Sequence, residues 1–227
     1  MKEINILGIR YADVDIAGAV EHAMRMMRSQ HGGYILVPDS DTALAARKNR
    51  RLMEAFREAS LVLPGDRGIF AAAEILGEPL HYKMSGADYV SALLARLSSE
   101  GRSFFLLAAK PQTVNDEAQR IAMRYPGLKI AGAADSQFVD DEELIERINA
   151  SCPDLLLVCL SSPKQELWIN RTYPELNAAM TLCLGNMFEP KKTRRKESLA
   201  KRLVHEPKAT LKVPRMAGAA LVKRILG

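Results

Sequence analysis

Leu155-Leu156-Leu157-Val158-Cys159-Leu160, followed by Ser161-Ser162-Pro163-Lys164-Gln165-Glu166, decides how this chain is read. Six apolar residues in a row are too few for a buried helix. A strand with one wet face would alternate apolar and polar positions, so an unbroken run ended by turn residues reads as a strand covered on both faces. Ser-Ser-Pro then opens a helix, since serine caps free N–H groups and proline suits a first helical turn. Outward from this unit the same alternation recurs. Short apolar runs at residues 4–9, 34–37, 61–63, 104–108, 128–131 and 180–184 read as strands. Amphipathic stretches at 15–30, 42–59, 69–76, 87–99, 113–125, 141–150 and 163–172 read as helices. Alternation of this kind predicts an α/β fold with a mostly parallel sheet and helices on both faces. Ligands of such sheets sit beyond the carboxyl ends of the strands.

The chain has 227 residues, 48% apolar and 26% charged, the profile of a globular protein with its own core. That excludes intrinsic disorder, collagen and a disulfide scaffold. No apolar run is long enough to span a bilayer and the first ten residues have no signal-peptide layout, so a soluble, cytoplasmic protein is expected. Cys152, Cys159 and Cys183 are odd in number and set among apolar residues, which predicts buried, reduced thiols. The net charge of +5 is unevenly placed: residues 191–227 hold 12 Lys+Arg against Glu197 and Glu206, leaving a mildly acidic body. A boundary is expected near residue 190, separating a domain over 1–190 from a short basic helical appendage over 191–227. In the appendage Lys201, Arg202, Lys212, Arg215, Lys223 and Arg224 interleave with Leu199, Leu203, Leu211, Leu221 and Ile225. A basic amphipathic segment suits an anionic lipid surface. With no aromatic residue after Phe188 to stack on bases, nucleic acid ranks below a membrane.

The chain carries no GxGxxG, P-loop, HExxH or GxSxG motif, and its four histidines are scattered. Metal-dependent, P-loop and serine-hydrolase chemistries are disfavoured, and no cofactor is implied. Three strand-to-helix loops hold the candidate chemistry. In Val37-Pro38-Asp39-Ser40-Asp41-Thr42, Asp39 is either a helix cap or a substrate ligand. In Pro64-Gly65-Asp66-Arg67-Gly68, Asp66 is either a cap or a general base. In the third loop Ser162 and Gln165 fit a capping box with Pro163 at the first helical position, while Ser161, Lys164 and the helix start also suit a phosphate. Together the loops outline a polar crevice for a phosphorylated ligand.

These motifs resemble the WecG/TagA/CpsF family of bacterial glycosyltransferases, from about Ile4 to Glu189. The most specific piece is Pro153-Asp154-Leu155-Leu156-Leu157-Val158-Cys159-Leu160 with Pro163-Lys164-Gln165-Glu166 and Trp168-Ile169. Tyr125-Pro126-Gly127, Ser85-Gly86-Ala87-Asp88 and the loop after Leu61 follow in family order. The resemblance implies a metal-independent, inverting transfer of an N-acetyl-amino sugar from a UDP-sugar to an undecaprenyl-diphosphate-linked acceptor. It also implies a basic C-terminal appendage docked at the inner face of the membrane, and it leaves a homo-oligomer open. Its implied substrate ligands are Asp39, Lys83, Ser161, Lys164, Gln165, Glu166, Gly185 and Glu189, with Asp66 as catalytic base. The departures are chemical. Val37 and Asp39 stand where the family has a threonine and an asparagine, Gly65 where it has the proposed catalytic aspartate, Lys83 for an arginine, Cys159 and Ser161 for glycines, and Glu189 for an aspartate. Gly65 leaves Asp66, one residue on, as a displaced base. The alternative is a catalytically inactive paralogue that keeps the crevice and acts as a binding or regulatory protein.

Overall fold

The structure, a computed structural model, describes residues 1–29, 32–109, 114–135 and 141–185. Chain order begins β1 (Lys2–Ile6), β2 (Ile9–Asp13), α1 (Ile16–Arg28), β3 (Tyr34–Leu36), α2 (Ser40–Ala46), α3 (Arg50–Glu58), β4 (Leu61–Val62), α4 (Arg67–Ile75) and α5 (Gly86–Ser99). It continues β5 (Ser103–Ala108), α6 (Val114–Arg124), β6 (Lys129–Asp135), α7 (Asp141–Ser151), β7 (Leu155–Cys159), α8 (Lys164–Thr172) and β8 (Met180–Cys183). Six strands form one sheet in the order β4-β3-β8-β7-β5-β6, with every pairing parallel. The predicted α/β class is the one observed.

Both faces of that sheet are covered, which explains the unbroken apolar run. Leu155, Leu157 and Cys159 pack on one side with α1, α5 and α6. Leu156, Val158 and Leu160 pack on the other with α2, α3, α4, α7 and α8. All six are buried, and each fully buried leucine contributes about 1.5–3 kcal/mol relative to exposure.

Three expectations are corrected. The strand expected over 4–9 is an antiparallel hairpin, β1 with β2, that packs on the second face. Leu7 and Gly8 both adopt positive φ (58° and 88°) in its two-residue turn, and Asn5 Oδ1 accepts the Gly8 N–H at 2.9 Å. The helix expected over 42–59 is two helices. Asn49, extended, caps α3 by accepting the Leu52 N–H at 3.1 Å, so the backbone must break before it. The expected burial of all three thiols fails at Cys152, which is exposed at φ +41° after α7 while Cys159 and Cys183 are buried. Among the described residues no helix is long and apolar enough to cross a membrane.

The topology places the chemistry. β4, β3, β8 and β7 are consecutive in the sheet and parallel, so the loops after β3, β4 and β7 and the residues after β8 meet at one carboxyl edge.

Candidate functional site

The loop after β3 supplies Asp39, the N-cap of α2. Its Oδ1 accepts the Thr42 N–H at 2.9 Å and lies 2.7 Å from Thr42 Oγ1. Capping alone accounts for that oxygen. The side chain is on an exposed residue, and Oδ2 takes part in neither bond.

The loop after β4 supplies Asp66, and here the cap reaches further. Oδ1 accepts the Ile69 N–H at 3.2 Å, capping α4. Oδ2 accepts the Ser40 N–H at 3.2 Å and the Ser40 hydroxyl at 2.8 Å, so one carboxylate ties the starts of α2 and α4 together. Gly65 makes this approach possible. Its N–H donates to Pro38 O at 3.0 Å, and a Cβ on it would collide with the Pro38 carbonyl oxygen and lie 2.8 Å from Val37 O. Gly68 is under the same constraint from the Ser40 side chain, 2.6 Å from where its Cβ would be. The two loops are therefore packed backbone to backbone.

The loop after β7 differs from its sequence expectation. α8 begins at Lys164 with no side-chain cap, so the capping box predicted for Ser162 and Gln165 is absent. The Ser162 hydroxyl lies instead 2.8 Å from Thr42 Oγ1 and 2.9 Å from Glu166 Oε2. The Lys164 and Gln165 N–H groups both donate to Ser161 O, at 2.9 and 3.3 Å, so those two amides are already engaged at the helix start proposed for a phosphate. Gln165 and Glu166 turn inward and are buried, at 2% and 1% exposure. Gln165 Nε2 donates to Glu166 Oε1 at 3.0 Å, and its Oε1 accepts the Gly185 N–H at 2.8 Å. Gly185 follows β8 at φ +63°, a conformation that favours glycine.

One hydrogen-bonded chain thus runs Asp39–Thr42–Ser162–Glu166–Gln165–Gly185 across the edge of three adjacent strands. Burial pushes the Glu166 carboxyl above its ordinary range, and Asp39 adds to the rise; hydrogen bonds from Gln165 and Ser162 oppose it.

Of the residues singled out in sequence, Asp39, Gln165, Glu166 and Gly185 are joined directly, and Asp66 joins through Ser40. Ser161 and Lys164 are exposed at the rim. Lys83 stands apart, exposed on the α4–α5 connection and 3.3 Å from Glu74. Glu189 and the appendage lysines and arginines (Lys201, Arg202, Lys212, Arg215, Lys223, Arg224) lie outside the described residues. Three participants were missed. Thr42 and Ser162 were read as turn or cap chemistry, and their mutual contact spans 120 positions. Tyr11 on β2 is fully buried, and its hydroxyl has no hydrogen-bond partner among the described residues. Burial raises its phenol far above the usual range, with Asp66 and Asp39 adding to the effect. It belongs to β2, most of which falls between the strand expected over 4–9 and the helix expected over 15–30. Among the described residues no group of three or more His, Cys, Asp or Glu side chains is placed to hold a metal ion.

The model of the glycosyl transferase WecG/TagA/CpsF family matches residues 4–191. An N-acetylglucosaminyldiphosphoundecaprenol N-acetyl-beta-D-mannosaminyltransferase of Bacillus spizizenii is 26% identical over 83% of this chain and 73% of its own length. The protein of the same name from Bacillus subtilis is 24% identical, covering 83% and 74%. A Staphylococcus aureus counterpart is 22% identical, covering 82% and 74%. A family match over residues 4–191 takes in most of the hairpin, the whole six-stranded sheet and every loop of the polar edge: the chain belongs to the WecG/TagA/CpsF family of glycosyltransferases.

Proposed function

We propose that this chain transfers an N-acetyl-amino sugar from a UDP-sugar to an undecaprenyl-diphosphate-linked sugar, with Asp39 as general base. The observation that carries this is the contrast between two carboxylates. Asp66 spends both oxygens on three protein donors, whereas Asp39 is exposed and keeps Oδ2 out of its cap. The acceptor hydroxyl gives its proton to Asp39 Oδ2 as its oxygen bonds to the anomeric carbon. The bond from that carbon to the diphosphate breaks, its electron pair leaves with UDP, and attack from the opposite side inverts the centre. Asp66 acts as the clamp that holds the Asp39 loop, Lys164 and Ser161 line the donor side, and residues 191–227 bind anionic lipid. The names of the relatives support the lipid-linked acceptor. A second reading, a binding paralogue without turnover, draws on Gly65, where the family carries its proposed base.

Calorimetric titration with UDP and UDP-N-acetyl sugars, followed by transfer to a lipid-linked N-acetylglucosamine acceptor, tests both. Binding with transfer is expected. Binding without transfer favours the paralogue, and no binding contradicts both.

A further inference from the structure

The contacts Asp39–Thr42, Thr42–Ser162 and Ser162–Glu166 measure 2.7, 2.8 and 2.9 Å between oxygens. Each is short enough to require a proton between its two oxygens, because lone pairs facing at that range repel. Thr42 and Ser162 bring one hydroxyl proton each. Three links and two hydroxyl protons leave one to be supplied by a carboxyl group at an end of the chain.

We propose that this proton resides on Glu166, so that Glu166, Ser162 and Thr42 donate in one direction, toward an ionised Asp39. Two further observations select that end. Glu166 is 1% exposed while Asp39 is exposed, and an anion is far better solvated at the rim than in the interior. The bonds to Glu166 also suit a neutral carboxylic acid: Oε1 accepts from Gln165 Nε2 at 3.0 Å, leaving Oε2 to carry the proton and donate to Ser162. The direction of its titration agrees, since burial raises it and Asp39 reinforces the rise. Among the described residues Cys183 on β8 is also coupled to it, and its thiol is itself raised by burial and by Glu166.

The consequence rests on the proposed transferase reading. With the hydroxyls aligned, Thr42 donates to Asp39 Oδ1 by both its N–H and its O–H, which fixes the carboxylate and leaves Oδ2 as the free basic position. Glu166 is thus a positioning residue that acts through two hydroxyls. Loss of its proton at high pH reverses Ser162 toward Glu166, leaves the chain one proton short and weakens the hold on Asp39.

Infrared difference spectroscopy of the full chain, wild type minus Glu166→Gln at neutral pH, tests the proton's location without turnover. The carbonyl stretch of a protonated carboxyl is expected in wild type, absent in Glu166→Gln and retained in Asp39→Asn. No such band, or a band lost in Asp39→Asn and kept in Glu166→Gln, overturns the proposal. A chain that shows the band and transfers nothing overturns the functional reading alone. Turnover supplies a second readout. Glutamine reproduces the neutral acid, its amide donating to Ser162 and its oxygen accepting from Gln165. Glu166→Gln is therefore expected to retain several-fold more turnover than Glu166→Ala at neutral pH and to extend activity to higher pH, while Glu166→Ala loses at least tenfold. A Glu166→Gln variant that folds and falls as far as Glu166→Ala contradicts the neutral state.

Discussion

At Gly65 the absence of a side chain is a packing requirement. The loops after β3 and β4 are joined by the Gly65 N–H to Pro38 O bond, and a Cβ would meet the backbone of Val37 and Pro38. Neither carbonyl is the yielding end of a flexible side chain, so the backbone itself must move. Gly65→Asp, which places a carboxylate where the family resemblance puts one, is expected to destabilise by about 1–3 kcal/mol and to bring no gain in transfer. Chemical denaturation with a parallel turnover assay checks it, and a stable variant with raised turnover would show that the loop has room for the family's base. The residue scale was also where sequence reading reached least far. Asp39 and Asp66 were legible as acids before helices, with cap and ligand left open. The structure shows both to be caps and separates them by what each oxygen has left to give. Thr42 with Ser162, and Ser40 with Asp66, are contacts between distant loops that no local pattern encodes.

Among the elements, those whose apolar positions follow one period were legible. Strands β5, β7 and β8 fell within a residue or two of their expected ends, because burial on both faces leaves them apolar but for Ser103 in β5 and Thr181 in β8. The misreadings share a cause: apolar periodicity ran through a break that one polar residue specifies. Asn49 divides α2 from α3 by capping Leu52, and Asn5 with Gly8 turns β1 into β2. α3 buries Leu52 and Phe56 against the second face of the sheet, so loosening its first turn acts on the core. Asn49→Ala removes the acceptor for the Leu52 N–H and is expected to lower stability by about 1 kcal/mol without altering UDP binding. Matched urea melts and titrations check this, and an unchanged melt would deny the cap an energetic role.

For the whole molecule, parallel order is what turns four separated segments into one site. β4, β3, β8 and β7 are neighbours, so acids and hydroxyls from residues 39–42, 66 and 162–166 and the backbone N–H of Gly185 converge although they span most of the body. The proposed reading gives the basic segment after residue 190 the task of holding the protein near a lipid-borne acceptor. Removing residues 191–227 is expected to abolish sedimentation with anionic liposomes while leaving the thermal transition of the body in place; binding that survives truncation would contradict the membrane role. The central claim is that the exposed Asp39, and not the clamped Asp66, takes the acceptor's proton. The most direct measurement is transfer from a UDP-N-acetyl sugar to the lipid-linked acceptor by wild type, Asp39→Asn and Asp66→Asn, each confirmed folded and able to bind UDP. The account predicts a loss of about 10²–10⁴-fold for Asp39→Asn and less than about tenfold for Asp66→Asn. Abolished turnover in Asp66→Asn with near-normal turnover in Asp39→Asn would contradict it.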